Sequence, residues 1–331
     1  MISILMPAKN AGRYIESCLQ SILKQSVSDW ELIVVDDHSA DDTPRIVSSY
    51  AKKDPRIRLF HHSQKGILPA LRLAQRQASG KYITRMDADD LMPMDKLKYF
   101  FDYISLSPSR SIVTGKVRYF SDQAVSPGYL AYQNWLNRVV DQGTFFDEIY
   151  RECTIASPNW MVRRDDFIAM GGFDALDYPE DVDMVFQLRK HRFQVIGVDA
   201  VTHLWREHPD RASRNLPAYQ QASFFRLKTH YFLQSEPVSR STLMLWGAGK
   251  KGKLIARLLL ERNQDFVWLD WQAEKYRGRI YDQPVLSFEY FSEFSDPLVI
   301  NSVSPPDTEQ RRIDRFLVQN DLRLGVNYFV F

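Results

Sequence analysis

The sequence predicts an α/β protein with a mainly parallel sheet, followed by a second and smaller α/β unit. Over the first ninety or so residues, short apolar runs of strand length alternate with helical patterns. This alternation is typical of a parallel sheet with helices on both faces. The same alternation begins again at Thr242 and continues for about ninety residues, enough for a small domain. We therefore expect one domain at residues 1–235 and another at 240–331.

The individual elements follow from local signals. A hydroxyl before Pro44 predicts that a helix starts at Thr43. Aromatic side chains are frequent between residues 121 and 164, where strand signals are few, so we interpret this part as helices and loops over one end of the sheet. Further strands are predicted at residues 2–6, 32–35, 57–60, 82–86, 194–198, 243–246, 266–269, 298–303 and 327–331. Further helices are predicted at residues 14–23, 68–78, 182–188, 217–232 and 254–260, with a linker at 236–239.

Composition limits the function classes and the compartment. The chain of 331 residues is 44% hydrophobic and 25% charged, as in ordinary globular proteins. A net charge of +2 gives no support to a nucleic-acid binder. Cys18 and Cys153 lack paired spacing, which indicates buried or free thiols in a reducing compartment. Without a signal segment or an apolar run near ~20 residues, we expect a cytoplasmic protein that can touch the inner face of the plasma membrane.

The most informative acidic cluster, Asp87-Ala88-Asp89, follows the predicted strand at 82–86. In an open parallel sheet, ligands bind outside the carboxyl ends of the strands. Two carboxylates one residue apart suit a hard divalent cation, which neutralises a diphosphate leaving group as a glycosidic bond breaks. The alternative is an acidic loop that caps the next helix, since Asp95 follows.

Two other clusters offer groups for a nucleotide and its metal. Asp36-Asp37 follows the strand at 32–35 and suits a base N–H or a ribose hydroxyl, although a helix cap or Asx turn is the alternative. In the second cluster, Arg206 can bind phosphate oxygens and a neutral His208 can be a metal ligand. A lone histidine is also common as an ordinary surface or core residue.

A third acidic cluster, Glu180-Asp181-Val182-Asp183, precedes an apolar helical pattern. One of its carboxylates is a candidate general base, which takes the proton from an acceptor hydroxyl that attacks the anomeric carbon. The alternative is negative charge at a helix N-terminus, which the helix dipole favours.

Taken in order, these motifs resemble those of the family 2 glycosyltransferases, which have the GT-A fold. Each motif is weak alone, but the ordered set is specific and covers most of the first domain. The matching stretches are residues 6–10 (MPAKN), 34–39 (VVDDHS), 78–83 (ASGKYI), 85–90 (RMDADD), 171–174 (GGFD), 179–183 (PEDVD) and 205–208 (WREH).

The resemblance implies an inverting transfer from a nucleotide-sugar, usually a UDP-sugar, to a hydroxyl acceptor. It implies that Asp181 is the general base and that Asp89 and His208 hold Mn²⁺ or Mg²⁺ with the diphosphate. Ala8 and His38 depart from common residues of the family and leave the base identity open. The implied donor-binding residues are Pro7, Ala8, Asn10, Asp36, Asp37, Lys65, Asp87, Ala88 and Arg206.

The second domain carries a glycine-rich turn, residues 247–252, between a predicted strand and helix. Gly247, Gly249 and Gly252 with Asp270 resemble a Rossmann-like nucleotide site, which makes an NAD-like ligand one interpretation. The alternative is a folded scaffold in which glycine permits close helix–strand packing. Leu254 has no hydroxyl for magnesium, so we reject a P-loop ATPase. Such domains accompany some bacterial family 2 glycosyltransferases of cell-surface polysaccharide synthesis, whose acceptors are saccharides or lipid-linked saccharides.

Two other functions remain open at this stage. A nucleotidyltransferase usually has a glycine-rich loop directly after the first strand, and residues 8–12 do not form one. A regulatory nucleotide-binding protein would not need intact acidic clusters in its first domain. The aromatic middle is either a sugar-stacking platform or the apolar core of a lid, and its rings are Tyr129, Tyr132, Trp135, Phe145, Phe146 and Trp160.

Overall fold

The structure, a computed structural model, describes residues 1–122, 124–174, 179–209, 211, 221–276, 279–303 and 307–331. The chain forms two compact units. The first comprises Met1–Phe145 and Thr154–Leu216, and the second Phe146–Cys153 and Pro217–Phe331. Within the residues just given, the helices are all too short or too polar to cross a membrane.

The first unit contains one seven-stranded sheet. Its strands are β1 (Ile2–Ala8), β2 (Trp30–Asp36), β3 (Ile57–His61), β4 (Tyr82–Arg85), β5 (Ser111–Phe120), β6 (Trp160–Arg163) and β7 (Gln194–Arg206). Its helices are α1 (Ile15–Leu23), α2 (Thr43–Ala51), α3 (Ile67–Gln77), α4 (Lys96–Leu106), α5 (Pro127–Gln142), α6 (Arg164–Ala169) and α7 (Glu180–Lys190). The strand order is β3-β2-β1-β4-β6-β5-β7, and only β6 runs antiparallel to its neighbours. The predicted mainly parallel α/β fold is confirmed.

Burial explains why these segments fold as they do. Almost every residue of β1 and β2 is buried, as expected for parallel strands that are covered on both faces. Helix α1 buries Ile15, Cys18, Leu19 and Ile22, which recur at helical spacing and join the same core as Ile4 and Leu32. The alternation of apolar runs and helical patterns in the sequence therefore reflects a sheet that is buried on both faces.

The middle of the first unit differs from the prediction. Strand β5 was not predicted, and β6 lies inside the segment that we interpreted as helices and loops. Trp160 begins β6, is buried, and stacks on Phe167 with 5.4 Å between ring centroids, so it is a core residue and not part of a lid or platform. A strand of four residues is too short to show a recognisable pattern. The residues that bury it are also distant in the sequence.

The second unit contains a six-stranded sheet. Its strands are β8 (Thr242–Trp246), β9 (Val267–Leu269), β10 (Arg279–Ile280), β11 (Gln283–Leu286), β12 (Pro297–Asn301) and β13 (Tyr328–Val330), and its helices include α8 (Gln221–Ser235), α9 (Lys250–Leu260) and α10 (Asp307–Gln319). The order is β10-β11-β9-β8-β12-β13, with β10 and β11 antiparallel and the other neighbours parallel. From β11 to β13 this is the strand order of Rossmann folds.

The boundary between the units differs from the expected one at residues 235–240. Helix α8 and residues 146–153 belong to the second unit, because aromatic packing joins them there. Tyr150 lies 5.4 Å from Phe232 and 5.2 Å from Phe331, measured between ring centroids, and its hydroxyl bonds Glu236 at 2.7 Å. Helix α8 begins at Gln221, and the first four residues of the predicted helix, 217–220, lie outside the described residues.

In the glycine-rich turn between β8 and α9, two segments of backbone pack closely against each other. Gly247 has a φ of +104°, and a Cβ added to Gly252 would lie only 1.9 Å from the carbonyl oxygen of Gly247. Gly249, in contrast, has no heavy atom within 4 Å of the corresponding position. The need for glycine at 247 and 252 therefore has a purely structural reason.

We predict that Gly252→Ser destabilises the protein by about 1–3 kcal/mol, since the added Cβ forces the turn apart. Gly249→Ser is the matched control, because the same side chain enters open space at the N-cap of α9 and stays within about 0.5 kcal/mol of the parent. Chemical denaturation of both variants measures the difference. Equal stability of the two variants would contradict the close packing.

Candidate active site

The carboxyl ends of three neighbouring strands meet at one edge of the first sheet. Strand β1 lies between β2 and β4, and Ala8 at its end pairs with Asp36 at the end of β2. The backbone N–H of Met86 donates to Leu5 on β1, which places the following Asp87 at the same edge. Acidic residues that are far apart in the sequence thus emerge side by side, where ligands bind in parallel sheets.

Asp37 is held in place by groups from two segments, the end of β1 and the residue before α3. Its backbone N–H donates to the carbonyl of Ala8 at 2.7 Å. Its Oδ1 accepts from the N–H of Gly66 at 2.8 Å, and its Oδ2 lies 3.2 Å from Nζ of Lys9. The side chain is buried, and its bond to Gly66 lies at the N-terminus of α3. Lys65, the residue before Gly66, is exposed beside this carboxylate.

Asp36 and Asn10 shape the loop around Asp37. Asp36 Oδ2 accepts from the N–H of Ser39 at 3.3 Å, as in an Asx turn, while its buried Oδ1 makes no hydrogen bond with the described part of the chain. Asn10 accepts from the N–H of Ala40 at 2.8 Å and so ties the two loops together. The helix cap that was the alternative function of the pair is supplied by Asp41, which accepts from the N–H of Thr43 at 3.0 Å.

Asp89 and His208, which we predicted as metal ligands, are in contact. Asp89 Oδ2 and His208 Nε2 lie 2.9 Å apart. Backbone hydrogen bonds of 3.1 Å in both directions between Leu91 and Leu204 join the loop after β4 to strand β7. This pairing brings together residues that are more than a hundred positions apart in the sequence.

The donor set at Asp89 fits a divalent cation. Two ligand atoms at right angles on an ion bound at about 2.1 Å lie about 3 Å apart, close to the observed spacing. Burial acts to raise the pKa of Asp89, but the hydrogen bond from His208 and the charge of Arg211 outweigh it and lower that pKa. The His208 Nδ1 is buried without a hydrogen-bond partner among the described residues. Asp89 is therefore ionised and ready to bind a cation.

Arg85 is a functional residue that sequence reasoning missed. Its buried guanidinium contacts Asp87 Oδ1 at 2.9 Å and Glu180 Oε1 at 3.0 Å, and so connects the loop after β4 with the N-terminus of α7. Burial raises the pKa of Asp87, and the charge of Arg85 opposes that effect. A charged residue at the end of an otherwise uncharged strand was the signal that pointed to it.

The candidate general base lies in the first turn of α7. That helix begins at Glu180, so Glu180, Asp181 and Asp183 also place negative charge at its N-terminus, which was the alternative interpretation. Asp181 Oδ1 accepts from the N–H of Val182 at 2.8 Å. The ion pair of Glu180 with Arg85 ties the first turn of α7, which carries Asp181, to the loop after β4.

Arg206 has a different environment from the expected one. Its guanidinium donates to the carbonyl of Asp89 at 2.7 Å and to Ser17 Oγ at 3.2 Å. It also lies over the rings of Tyr14 and Phe120, at 5.0 and 4.5 Å from their centroids. These contacts favour positioning of the Asp89 loop over the predicted contact with phosphate. Of the remaining predicted donor-binding residues, Pro7 lies half-buried in β1 and Ala88 is buried.

A buried pair below the loop, Asp90 and His203, was also missed. Asp90 Oδ2 and His203 Nε2 lie 2.9 Å apart, and Asp90 Oδ1 accepts from the N–H of Arg206 at 2.7 Å. Burial, with the charges of Asp89 and Asp87, raises the pKa of Asp90 well above its usual range. Burial likewise lowers the pKa of His203. Both shifts favour the uncharged forms, and the hydrogen-bonded pair supports the loop from inside.

In the second unit, Asp270 is occupied by the backbone of its own turn. Its carboxylate accepts from the N–H of Ala248 at 2.7 Å and from that of Gln272 at 2.8 Å. These bonds use the oxygens that would contact a ribose. Together with the packing of Gly247 and Gly252, they favour the scaffold over a second nucleotide site.

Comparison with known proteins places the first unit in a family. A model of the family described as Glycosyl transferase family 2 matches residues 3–171, just over half of the chain. Chondroitin synthase of Escherichia coli is 37% identical over 102 residues, which are 31% of this chain and 15% of that protein. Glycosyltransferase GlyG of Streptococcus pneumoniae is 32% identical over 105 residues, 31% of this chain and 35% of its own length. The chain thus spans less than half the length of these curated relatives.

A solved structure supports the same fold. S. aureus TarS 1-349 in complex with UDP-GlcNAc matches with a TM-score of 0.53 and 18% identity, over 78% of this chain and 71% of that chain. Identity this low shows the fold alone, and the predicted GT-A fold is confirmed. With the family model matched over half of its length, the chain belongs to glycosyl transferase family 2.

Proposed function

We propose that the first unit transfers a sugar, with inversion, from a nucleotide-diphosphate donor, preferably a UDP-sugar, to a hydroxyl of a saccharide or lipid-linked saccharide. The reaction serves cell-surface polysaccharide synthesis at the inner face of the plasma membrane. The observation that carries the proposal is the contact of Asp89 with His208 at the sheet edge that also presents Asp37 and Asp87.

The nucleoside end of the donor lies at Asp37. Its carboxylate is held by Gly66 and Lys9. Its backbone bond to Ala8 keeps it at the carboxyl ends of the parallel strands. A carboxylate accepts a hydrogen bond from a base N–H or a ribose hydroxyl. The side chain of Ala8 is buried in the core, so its contribution at this end is the backbone carbonyl that holds Asp37.

The diphosphate end lies at Asp89 and His208, which would hold Mn²⁺ or Mg²⁺. Such an ion, when bound, neutralises the charge that develops on the departing diphosphate. Asp89 supplies an ionised oxygen, His208 supplies an imidazole nitrogen, and Arg206 holds the loop by its bond to the Asp89 carbonyl. Asp87 is turned toward Arg85, which keeps it from repelling the phosphates.

The acceptor hydroxyl gives its proton to Asp181. An inverting transfer needs this base on the side of the sugar opposite the leaving group. Asp181 belongs to α7, a different element from the loop that carries Asp89, and the Arg85–Glu180 ion pair holds that helix end in place. In this proposal the carboxylate approaches from the acceptor side.

We predict that Asp181→Asn lowers the transfer rate kcat by at least about 100-fold and leaves the donor Kd nearly unchanged, because the amide cannot accept the proton. Asp165→Asn, at an exposed carboxylate on α6, is the matched control and retains full activity. Transfer assays and calorimetry with the donor measure both quantities. A near wild-type kcat in Asp181→Asn would remove this residue from the mechanism.

We also predict that Asp89→Ala weakens metal-dependent binding of UDP by at least about tenfold, since a ligand of the cation is lost. Asp102→Ala on α4, whose carboxylate is half-exposed and paired with Lys98, is the control. Isothermal titration with UDP in the presence and absence of Mn²⁺ measures the effect. Unchanged affinity of Asp89→Ala in Mn²⁺ would contradict the assignment.

The function itself is tested by incubating the protein with a panel of UDP-, GDP- and dTDP-sugars and Mn²⁺ and measuring nucleotide release. We expect release from at least one sugar nucleotide, and a loss of release in the presence of a chelator. Formation of a sugar nucleotide from a sugar phosphate and UTP would instead identify a nucleotidyltransferase.

A further inference from the structure

We propose that Asp37, His38 and His62 form a second metal site, which binds a borderline transition-metal ion of the Zn²⁺ class at the base-reading end of the donor pocket. Metal binding there does not depend on the glycosyltransferase function. Its consequence, competition with the nucleotide, rests on the proposed function.

The three side chains are close enough to share one ion. One ligand atom from each residue lies within 4.8 Å of the others. His62 Nε2 lies 3.4 Å from Asp37 Oδ1. Two ligands of a tetrahedral zinc ion, bound at about 2.0–2.1 Å, lie about 3.4 Å apart. This pair therefore has the spacing of a tetrahedral site before any side chain moves.

His62 is a buried side chain whose ring nitrogens lack hydrogen-bond partners. Only 7% of the side chain is exposed, yet neither Nδ1 nor Nε2 makes a hydrogen bond of acceptable geometry with the residues that the structure describes. Buried polar groups in folded proteins are nearly always satisfied, so each exception needs an explanation. A metal ion bound at Nε2 would replace the long 3.4 Å contact of that nitrogen with Asp37 Oδ1 by a direct bond.

His38 completes the site from an unusual backbone conformation. Its φ is +56°, in the left-handed region that few residues other than glycine adopt. Its ring centroid lies 5.4 Å from that of His62, in an edge-on arrangement. The side chain is exposed, and one of its ring nitrogens already lies within 4.8 Å of the ligand atoms of Asp37 and His62.

The donor atoms distinguish this site from the one at Asp89. Two imidazoles and one carboxylate suit Zn²⁺, Ni²⁺ or Cu²⁺, whereas Mg²⁺ prefers oxygen ligands. The site at Asp89 offers one imidazole and one carboxylate, so the second imidazole is what favours the zinc class here.

An ion at this site takes the carboxylate that the nucleoside needs. It also places positive charge beside Lys9, whose Nζ lies 3.2 Å from Asp37 Oδ2, and so repels that ammonium. Zinc should consequently act as an inhibitor that competes with the donor nucleotide.

The experiment is a calorimetric titration with Zn²⁺ alone, carried out in a His208→Ala background so that the other metal site is weakened. We expect one zinc to bind, and both His38→Ala and His62→Ala to weaken its affinity by at least about tenfold. His61→Ala is the matched control and leaves the affinity unchanged, because its exposed ring faces Asp36 at 3.5 Å and lies outside the cluster.

Three outcomes overturn the proposal: no zinc binding in the His208→Ala background, unchanged affinity in the exposed His38→Ala variant, or an equal loss in His61→Ala. His38→Ala keeps the test decisive if the buried His62→Ala fails to fold, which circular dichroism would reveal. In wild-type protein with saturating Mg²⁺, zinc should raise the apparent Kd of UDP. If UDP does not bind at all, the proposed donor fails while the zinc titration still decides the metal site.

Discussion

The candidate site depends on bringing three aspartates, Asp87, Asp89 and Asp90, onto one short loop without letting their charges push it apart. The charge of each carboxylate is compensated in a different way. Asp87 is paired with Arg85, Asp89 contacts His208, and Asp90 is buried against His203 with a raised pKa. The pKa of Asp90 is raised and that of Asp89 is lowered, so Asp89 is the carboxylate of the three that best keeps a charge available to a cation. A crowded acidic loop thus offers one carboxylate to the proposed ion.

The same loop is fixed by the topology of the sheet. The order β2-β1-β4 puts Asp37 and Asp87 at one edge, and the backbone pairing of Leu91 with Leu204 brings strand β7 and the following His208 to it. Arg206 then fastens the loop through its bond to the Asp89 carbonyl. Backbone hydrogen bonds therefore position Asp37 and the loop that carries Asp89, while the Arg85–Glu180 ion pair positions the start of α7.

Much of this arrangement is readable from the sequence because parallel strands are buried on both faces and end in polar residues. That pattern predicted β1 to β4 and placed Asp37 and Asp89 at strand ends. It failed at β6, whose four residues carry no recognisable period, and at the unit boundary, where Tyr150 packs on Phe232 from far away in sequence. Arg85, Asp90 and His203 were missed because their importance lies in which partner they meet. The pairing of Asp37 with His62 was equally invisible, since only the folded loop brings them together.

The central claim is that Asp89 and His208 act on one cation together. A double-mutant cycle measures this directly, through the Kd of UDP in Mn²⁺ for Asp89→Ala, His208→Ala and the double variant. The account predicts that the second substitution adds little once the first is present, so that the combined loss is at least about tenfold smaller than the product of the single losses. Losses that multiply independently, or UDP binding that does not respond to Mn²⁺ in the wild type, would contradict it.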